Sequence, residues 1–311
     1  MIMQEYSGIT VRFLTALKEG QIPHAILIAG PEGSGRTHLA ERAAALLCTG
    51  SENADALSSC PDFFRLGQEK YKVDDIRALR EELTKRPFRE GEWRVVLMEQ
   101  AHRMEQAPQN ALLKTLEEPP LRTVFLLTGV EMGLLPTIRS RCTILRLSGN
   151  REEDTAAALM REGCPEGQAK LLAKISGGLL GRAMRFYREE GLMSFRSDAL
   201  SMMLTAAHGQ IPPNLSFPRG EEGKERAMLL LDLFLSFLGD MQRMAFSLPI
   251  RENPDLEDRL ARGTQNFTSG RIQSMIKLVL QAKEHMNYNV KPEQAIDSLL
   301  IGFCKQNAEA G

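Results

Sequence analysis

The sequence predicts an α/β fold in its first half and an all-helical fold in its second half. Short apolar runs of strand length, such as 25–29 and 93–98, alternate with segments rich in strong helix formers. A glycine-rich loop from Gly30 to Thr37 joins the first of these runs to a helical segment. After Ser148-Gly149 the strand signal disappears. We therefore expect a parallel P-loop sheet covered by helices, followed by helical domains.

The predicted elements can be placed along the chain from these patterns. Strands are predicted at 25–29, 62–66, 93–98, 124–128 and 143–147. Helices are predicted at 9–19, 39–47, 75–85, 106–118, in several short pieces over 151–188, and at 223–247, 268–288 and 292–304. Because strands and helices alternate up to residue 147, the strands of this part should run parallel.

Length and composition limit the classes of protein to which the chain can belong. A chain of 311 residues predicts two or three domains. The formal net charge of −1 excludes a global attraction to nucleic acid or to an anionic membrane. No apolar run approaches the roughly 18 residues of a membrane span. The five cysteines are scattered, which favours reduced thiols, so we expect a cytoplasmic protein without membrane contact.

The glycine-rich loop has the context of a phosphate-binding loop. Backbone N–H groups of such a loop and the N-terminus of the following helix bind phosphate. The candidate nucleotide-binding residues are Gly30, Gly33, Gly35, Arg36 and Thr37. The P-loop pattern has Lys where this chain has Arg36, and a planar guanidinium is a poor substitute for a compact ammonium. Arg36 either holds a nucleotide statically or fills the loop with its own charge, so ATP or ADP binding is expected to be weak at most.

A second altered position follows the strand at 93–98. In P-loop ATPases an Asp at this place holds the magnesium shell and a following Glu activates the attacking water. Here the two residues are Glu99 and Gln100, and Gln100 cannot act as a base. We interpret them as polar residues at a strand end rather than as catalytic groups.

Four stretches of the chain resemble the AAA+ clamp-loader subunits of bacterial replication, and most closely their delta-prime family. They are His24 to Thr37, Glu99 to His102, Asn110 to Pro120, and Thr137 to Cys142. The run Leu113-Lys114-Thr115-Leu116-Glu117-Glu118-Pro119-Pro120, with Ser140-Arg141-Cys142 downstream, is far more specific than the P-loop alone. The resemblance implies an AAA+ P-loop domain over 1–148, a helical lid over 149–190 and a helical collar that mediates oligomerisation over 191–311.

Departures from the family pattern indicate which type of subunit this is. The motor subunits of the family have a P-loop Lys, an Asp-Glu pair and a lid Arg, where this chain has Arg36, Glu99-Gln100 and Gly181. Arg182 comes one residue later, which is a rotation of about 100° on a helix, so it should not replace the missing group. The resemblance thus implies a non-hydrolysing, stator-type subunit. An active motor subunit of the tau/gamma type and a pure scaffold are the alternatives.

Arg141 is the candidate catalytic residue, and it is flanked by Ser140 and Cys142. By resemblance it is an arginine finger that reaches the ATP site of a neighbouring subunit. The implied partners are the motor (tau/gamma) and delta subunits, the sliding clamp, and primer–template DNA within the assembly. The competing interpretation is an ordinary surface arginine, as most arginines are.

Two further features are expected to have no special function. Cys48 and Cys60 fall where the family often carries a four-cysteine zinc module, but two cysteines cannot complete a tetrahedral site, so we predict no metal. A basic cluster favours a solvated helix face, with primer–template contact as the minority hypothesis. Its members are Arg77, Arg80, Lys85, Arg86 and Arg89.

Overall fold

The computed structural model describes residues 8–67, 71–88, 93–212, 221–265, 267–287 and 290–308. Arg89 of the predicted basic cluster lies outside these ranges. The chain divides into two compact units, the first formed by residues 1–163 with 178–184 and the second by 164–177 with 185–311. The boundaries between the three domains given above remain a prediction.

The elements follow one another in the order that the sequence patterns predict. In the α/β half they are α1 (Gly8–Lys18), β1 (Ala25–Ala29), α2 (Arg36–Thr49), β2 (Phe63–Leu66), α3 (Val73–Thr84), β3 (Arg94–Met98), α4 (Gln106–Glu117), β4 (Thr123–Gly129), α5 (Pro136–Arg139) and β5 (Thr143–Arg146). The helical half consists of α6 (Glu152–Arg161), α7 (Glu166–Ile175), α8 (Leu180–Arg188), α9 (Leu192–Ala207), α10 (Glu221–Ala245), α11 (Glu257–Gly263), α12 (Ser269–Asn287) and α13 (Pro292–Ala308). The short helices α5 and α11 are the two elements of these that the sequence patterns do not indicate, and α9 falls within the part of the chain predicted only as helical.

The first unit contains a five-stranded sheet with the strand order β2-β3-β4-β1-β5. Every pairing is parallel, with Ala25 opposite Phe125 on one side of β1 and Ile26 opposite Thr143 on the other. This confirms the predicted parallel sheet. Because the strands are parallel, their carboxyl ends and the loops that follow them lie along one edge, where ligands bind in sheets of this kind.

Both faces of the sheet are covered, which explains the unbroken apolar runs in the sequence. All residues of β1, β3 and β4 are buried. Ile26 and Ile28 face a core cluster that includes Leu39 of α2, whereas Leu27 faces a second cluster that includes Leu112 of α4. Strands buried on both sides read as continuous apolar segments rather than as alternating ones.

The second unit is helical in its described part, as the sequence predicts for the C-terminal half. Helix α10 is its long central element and contacts α9, α12 and α13. Its buried residues include Phe234 and Phe237, and the ring of Phe234 lies 6.1 Å from that of Phe303 of α13. None of the described helices combines the length and the apolar character needed to cross a bilayer.

A buried polar network fixes the segment that precedes α11. Asp240 is 2% exposed, and its carboxylate accepts hydrogen bonds from the backbone N–H groups of residues 251–253 and from the side chain of Asn253. Arg196, 1% exposed, donates to Asn253 Oδ1 at 2.7 Å and to Asp255 Oδ2 at 2.7 Å. Removal of the Asp240 carboxylate would therefore leave several buried donors without acceptors.

Asp240→Ala should lower the free energy of unfolding of the second unit by about 3 kcal/mol, because buried N–H groups lose a charged acceptor. The urea midpoint followed by circular dichroism at 222 nm measures the change. Asp297→Ala is the matched control, since Asp297 is an exposed helix residue of the same unit. An effect of Asp240→Ala as small as that of the control would contradict the stabilising role of the network.

Candidate functional site

The glycine-rich loop begins at the carboxyl end of β1, where it continues the sheet. The N–H of Gly30 donates to the carbonyl of Gly129 at the end of β4, at 3.1 Å. Gly33 and Gly35 have φ values of 81° and 84°, in the left-handed region that favours glycine. Helix α2 then starts at Arg36, with Thr37 half-buried in its first turn. The local geometry is therefore that of a strand, a glycine turn and a helix, as predicted.

The side chain of Arg36 turns back into this loop. Its Nη1 donates to the carbonyl oxygen of Gly30 at 2.6 Å. Burial lowers the pKa of Arg36, the nearby carboxylate of Glu32 opposes that effect, and the charge of Arg103 adds to it. The guanidinium thus makes a hydrogen bond to the loop itself. This contact favours the alternative in which Arg36 fills the loop with its own charge.

Gly181, the position at which the resemblance implies an arginine in motor subunits, packs directly against the loop. Its N–H donates to the carbonyl of Gly33 at 2.9 Å. A Cβ added at Gly33 would lie 2.7 Å from the backbone nitrogen of Arg182, and one added at Gly181 would lie 3.0 Å from Gly33 Cα. A side chain at position 181 therefore requires the two backbones to move apart.

The acidic residue after β3 is engaged in an ion-pair network. Arg65 of β2 donates through Nε to Glu99 Oε1 at 3.0 Å and pairs through Nη2 with Glu41 of α2 at 2.6 Å. The backbone carbonyl of Glu99 accepts a hydrogen bond from the hydroxyl of Tyr71. These contacts agree with the interpretation of Glu99 as a polar strand-end residue, and Arg65 is a partner that no sequence pattern indicated.

Gln100 adopts a backbone conformation that is uncommon for a residue other than glycine. Its φ is 48°, and its N–H donates to the hydroxyl oxygen of Thr128 at 3.1 Å. Thr128 is 1% exposed at the carboxyl end of β4. The hydrogen bond gives a partner to a buried hydroxyl and helps to hold Gln100 in the left-handed region.

The groups expected to bind a magnesium nucleotide have partners within the protein. The Arg36 guanidinium donates to the loop's own carbonyl, the carboxylate of Glu99 binds Arg65, and the backbone at Gly181 lies against Gly33. A bound triphosphate needs a cation for its phosphates and an acid for the magnesium shell. Here a nucleotide would have to share these groups with their present partners or displace them.

Arg141 lies apart from the loop, just after α5. Its Nη2 donates to Glu117 Oε1 at the end of α4, at 2.6 Å, and its Nη1 donates to the carbonyl of Thr137 at 2.9 Å. About a third of the side chain is exposed, 33%. Sequence reasoning missed Glu117 as its partner, although Glu117 lies within the specific run that ends in Pro119-Pro120.

The two residues beside Arg141 are anchored. The hydroxyl of Ser140 donates to the carbonyl of Thr137 at 3.1 Å. Cys142 packs against the core cluster that contains Ile138, and burial raises the pKa of its thiol to about 11. Arg141 is therefore a partly exposed cation on a backbone segment that is anchored on both sides.

The remaining candidates are the two cysteines of the possible zinc module and the basic cluster. Cys48 is buried and Cys60 packs against the same core cluster. Within the described residues no group of three or more His, Cys, Asp or Glu is arranged to hold a metal ion. In the basic cluster, Arg77 pairs with Asp74 at 3.1 Å and Lys85 pairs with Glu82, which is typical of a solvated helix face.

Comparison with known proteins identifies the family. A family model described as DNA polymerase III, delta subunit, matches residues 7–151. The DNA polymerase III subunit delta' of Haemophilus influenzae is 31% identical over 267 residues, which cover 80% of this chain and 79% of that protein. The chain belongs to the DNA polymerase III subunit delta' family.

Two other relatives show how much of the chain the similarity covers. The delta' subunit of Escherichia coli is 27% identical over 297 residues, 88% of this chain and 86% of that protein. The gamma subunit of Buchnera aphidicola is 33% identical over 150 residues, which cover 43% of this chain and 41% of that protein. The delta' relatives thus match both halves of the chain. The family membership confirms the resemblance to AAA+ clamp-loader subunits and the predicted fold class.

The thiol of Cys142 should react slowly with iodoacetamide at pH 8 in the folded protein, because its raised pKa of about 11 keeps it protonated there. Its reaction should accelerate only as the pH approaches 11. Mass spectrometry of tryptic peptides after timed alkylation measures the rate, and alkylation in urea supplies the unfolded reference. Equal rates in the folded and unfolded protein at pH 8 would contradict this.

Proposed function

We propose that this chain is the stator-type subunit of a bacterial clamp loader. It does not hydrolyse ATP itself, and it donates Arg141 to the ATP site of an adjacent motor subunit while the sliding clamp is loaded onto primed DNA. The observation that supports this most directly is the different placement of two arginines. Arg36 turns back onto the carbonyl of its own loop, whereas Arg141 lies outside that loop, is about a third exposed and stands on an anchored segment.

The chemistry of the proposed role follows from the charge of the guanidinium. Phosphoryl transfer develops negative charge on the γ-phosphate and on the leaving oxygens. A cation fixed at the right place stabilises that charge without reorganising during the reaction. Ser140 and Cys142 support this role, because one is bonded to Thr137 and the other is packed in the core.

The implied partners are the motor (tau/gamma) and delta subunits, together with the clamp and primer–template DNA. Similarity to a gamma subunit over 150 residues supports assembly with related subunits. The helical second unit would supply the oligomerisation collar. With these partners the protein would act in the bacterial cytoplasm.

The alternative function is an active motor subunit of the tau/gamma type. The same similarity to a gamma subunit is the observation that favours it. Against it stand the three altered positions, Arg36, Glu99-Gln100 and Gly181, each of which is engaged with other parts of the protein.

The purified chain should show no ATP turnover above background, and Arg36→Lys should not restore it. The lysine would replace one cation, but Glu99 would stay bound to Arg65 and Gly181 would stay against Gly33. Release of inorganic phosphate measures turnover, with a motor subunit as the positive control. Stoichiometric hydrolysis by the unmodified chain alone would favour the motor alternative.

Arg141→Ala should lower the ATPase rate of the reconstituted loader by about 10³-fold, because arginine fingers contribute that much in related reactions. Ring formation, followed by size-exclusion chromatography, should be unchanged. Arg146→Ala is the control, since Arg146 is an exposed arginine that lies outside the Ser140–Cys142 segment and pairs with Glu131. Unchanged turnover with Arg141→Ala would leave the scaffold interpretation.

A further inference from the structure

Both arms of the Arg141 guanidinium are held by its own chain. Nη2 donates to the carboxylate of Glu117 at 2.6 Å, and Nη1 donates to the carbonyl of Thr137 at 2.9 Å. The two acceptors come from different elements, since Glu117 ends α4 and Thr137 lies in α5. A side chain with four rotatable bonds is thus fixed from two directions.

The ion pair is too exposed to contribute much to the stability of the fold. The side chains of Arg141 and Glu117 are 33% and 49% exposed. Exposed pairs of this kind gain little, because solvent and salt screen the attraction and both side chains lose rotamer freedom. We therefore expect the ion pair to affect the position of the Arg141 guanidinium rather than the stability of the fold.

The geometry leaves the guanidinium able to bind a phosphate while it is held. An arginine side chain has five N–H donors, and the two contacts use one on each terminal nitrogen. The other donors remain for oxygens of an incoming phosphate. Glu117 and a phosphate therefore need not compete for the same N–H group.

We infer that Glu117 is a positioning residue that holds Arg141 ready for the neighbouring subunit's ATP. The inference rests on the proposed function, because it concerns the same guanidinium. Without the carboxylate, Arg141 would keep only its bond to Thr137, and the exposed side chain would sample many rotamers. Misplacement of a catalytic group by about 1 Å can cost as much as 10²-fold in rate.

The test compares variants of this chain in the loader reconstituted with the motor and delta subunits, the clamp and primed DNA of the same bacterium. Glu117→Ala should lower kcat for ATP by about tenfold, with KM unchanged within a factor of two, because a misplaced finger affects the transition state more than ATP binding. Glu117→Gln should retain an intermediate kcat, since its amide oxygen still accepts a hydrogen bond.

Two controls separate positioning from a general structural effect. Glu118→Ala should leave kcat unchanged, because Glu118 is the exposed neighbour and makes no ion pair within the described ranges. In an Arg141→Ala background, Glu117→Ala should cause no further loss, because the residue acts through the guanidinium. Ring formation and the thermal melting curve should match those of the unmodified chain.

The outcomes distinguish this inference from the proposed function on which it rests. If Arg141→Ala slows the loader but Glu117→Ala leaves kcat unchanged or raises it, the positioning role is wrong and the finger remains. A further loss on adding Glu117→Ala to Arg141→Ala would also overturn it. If Arg141→Ala itself has no effect, both the finger role of Arg141 and the positioning role of Glu117 are wrong.

Discussion

The parallel register of the sheet is the constraint on which the candidate site depends. Because β1 lies between β4 and β5, the backbone after β1 is bonded on both sides, with Gly30 donating to Gly129 and Leu147 donating to Ala29. The glycine loop is thereby held at the carboxyl edge. The segments that follow β3 and β4 reach the same edge, which brings Gln100 to Thr128.

At this edge two charged side chains are bonded to other groups of the protein. A buried charge needs a partner, and a guanidinium has more donors than the ammonium for which such loops are built. Arg36 finds an acceptor in the carbonyl of Gly30, and Glu99 finds a cation in Arg65. The strand, glycine turn and helix are thus present, while the Arg36 guanidinium is bonded to the loop and the Glu99 carboxylate is paired with Arg65.

Much of this fold could be predicted from the sequence, because unbroken apolar runs and glycine-rich turns are local signals. The strands, the loop and the long helices α10 and α12 are of that kind. The short helix α11 was missed because its position depends on the buried carboxylate of Asp240, which lies on another helix. A local pattern carries no information about such a contact.

The candidate site could likewise be predicted only in part. Arg141 could be singled out from the residues around it, but its partner Glu117 could not, because 24 positions separate the two. The partner of Glu99 was equally hidden, since Arg65 lies on a different strand. The sequence shows which residues are charged. Which of these charged residues form ion pairs depends on how the elements of the unit pack together.

The contact between Gly33 and Gly181 also limits which side chains these two positions can accept. Two residues from distant parts of the chain meet through backbone atoms alone, so neither can acquire a side chain unless the other segment retreats. An arginine introduced at position 181 would need the two backbones to separate by a few tenths of an ångström. A cation added at this position would therefore also shift the glycine loop against which it packs.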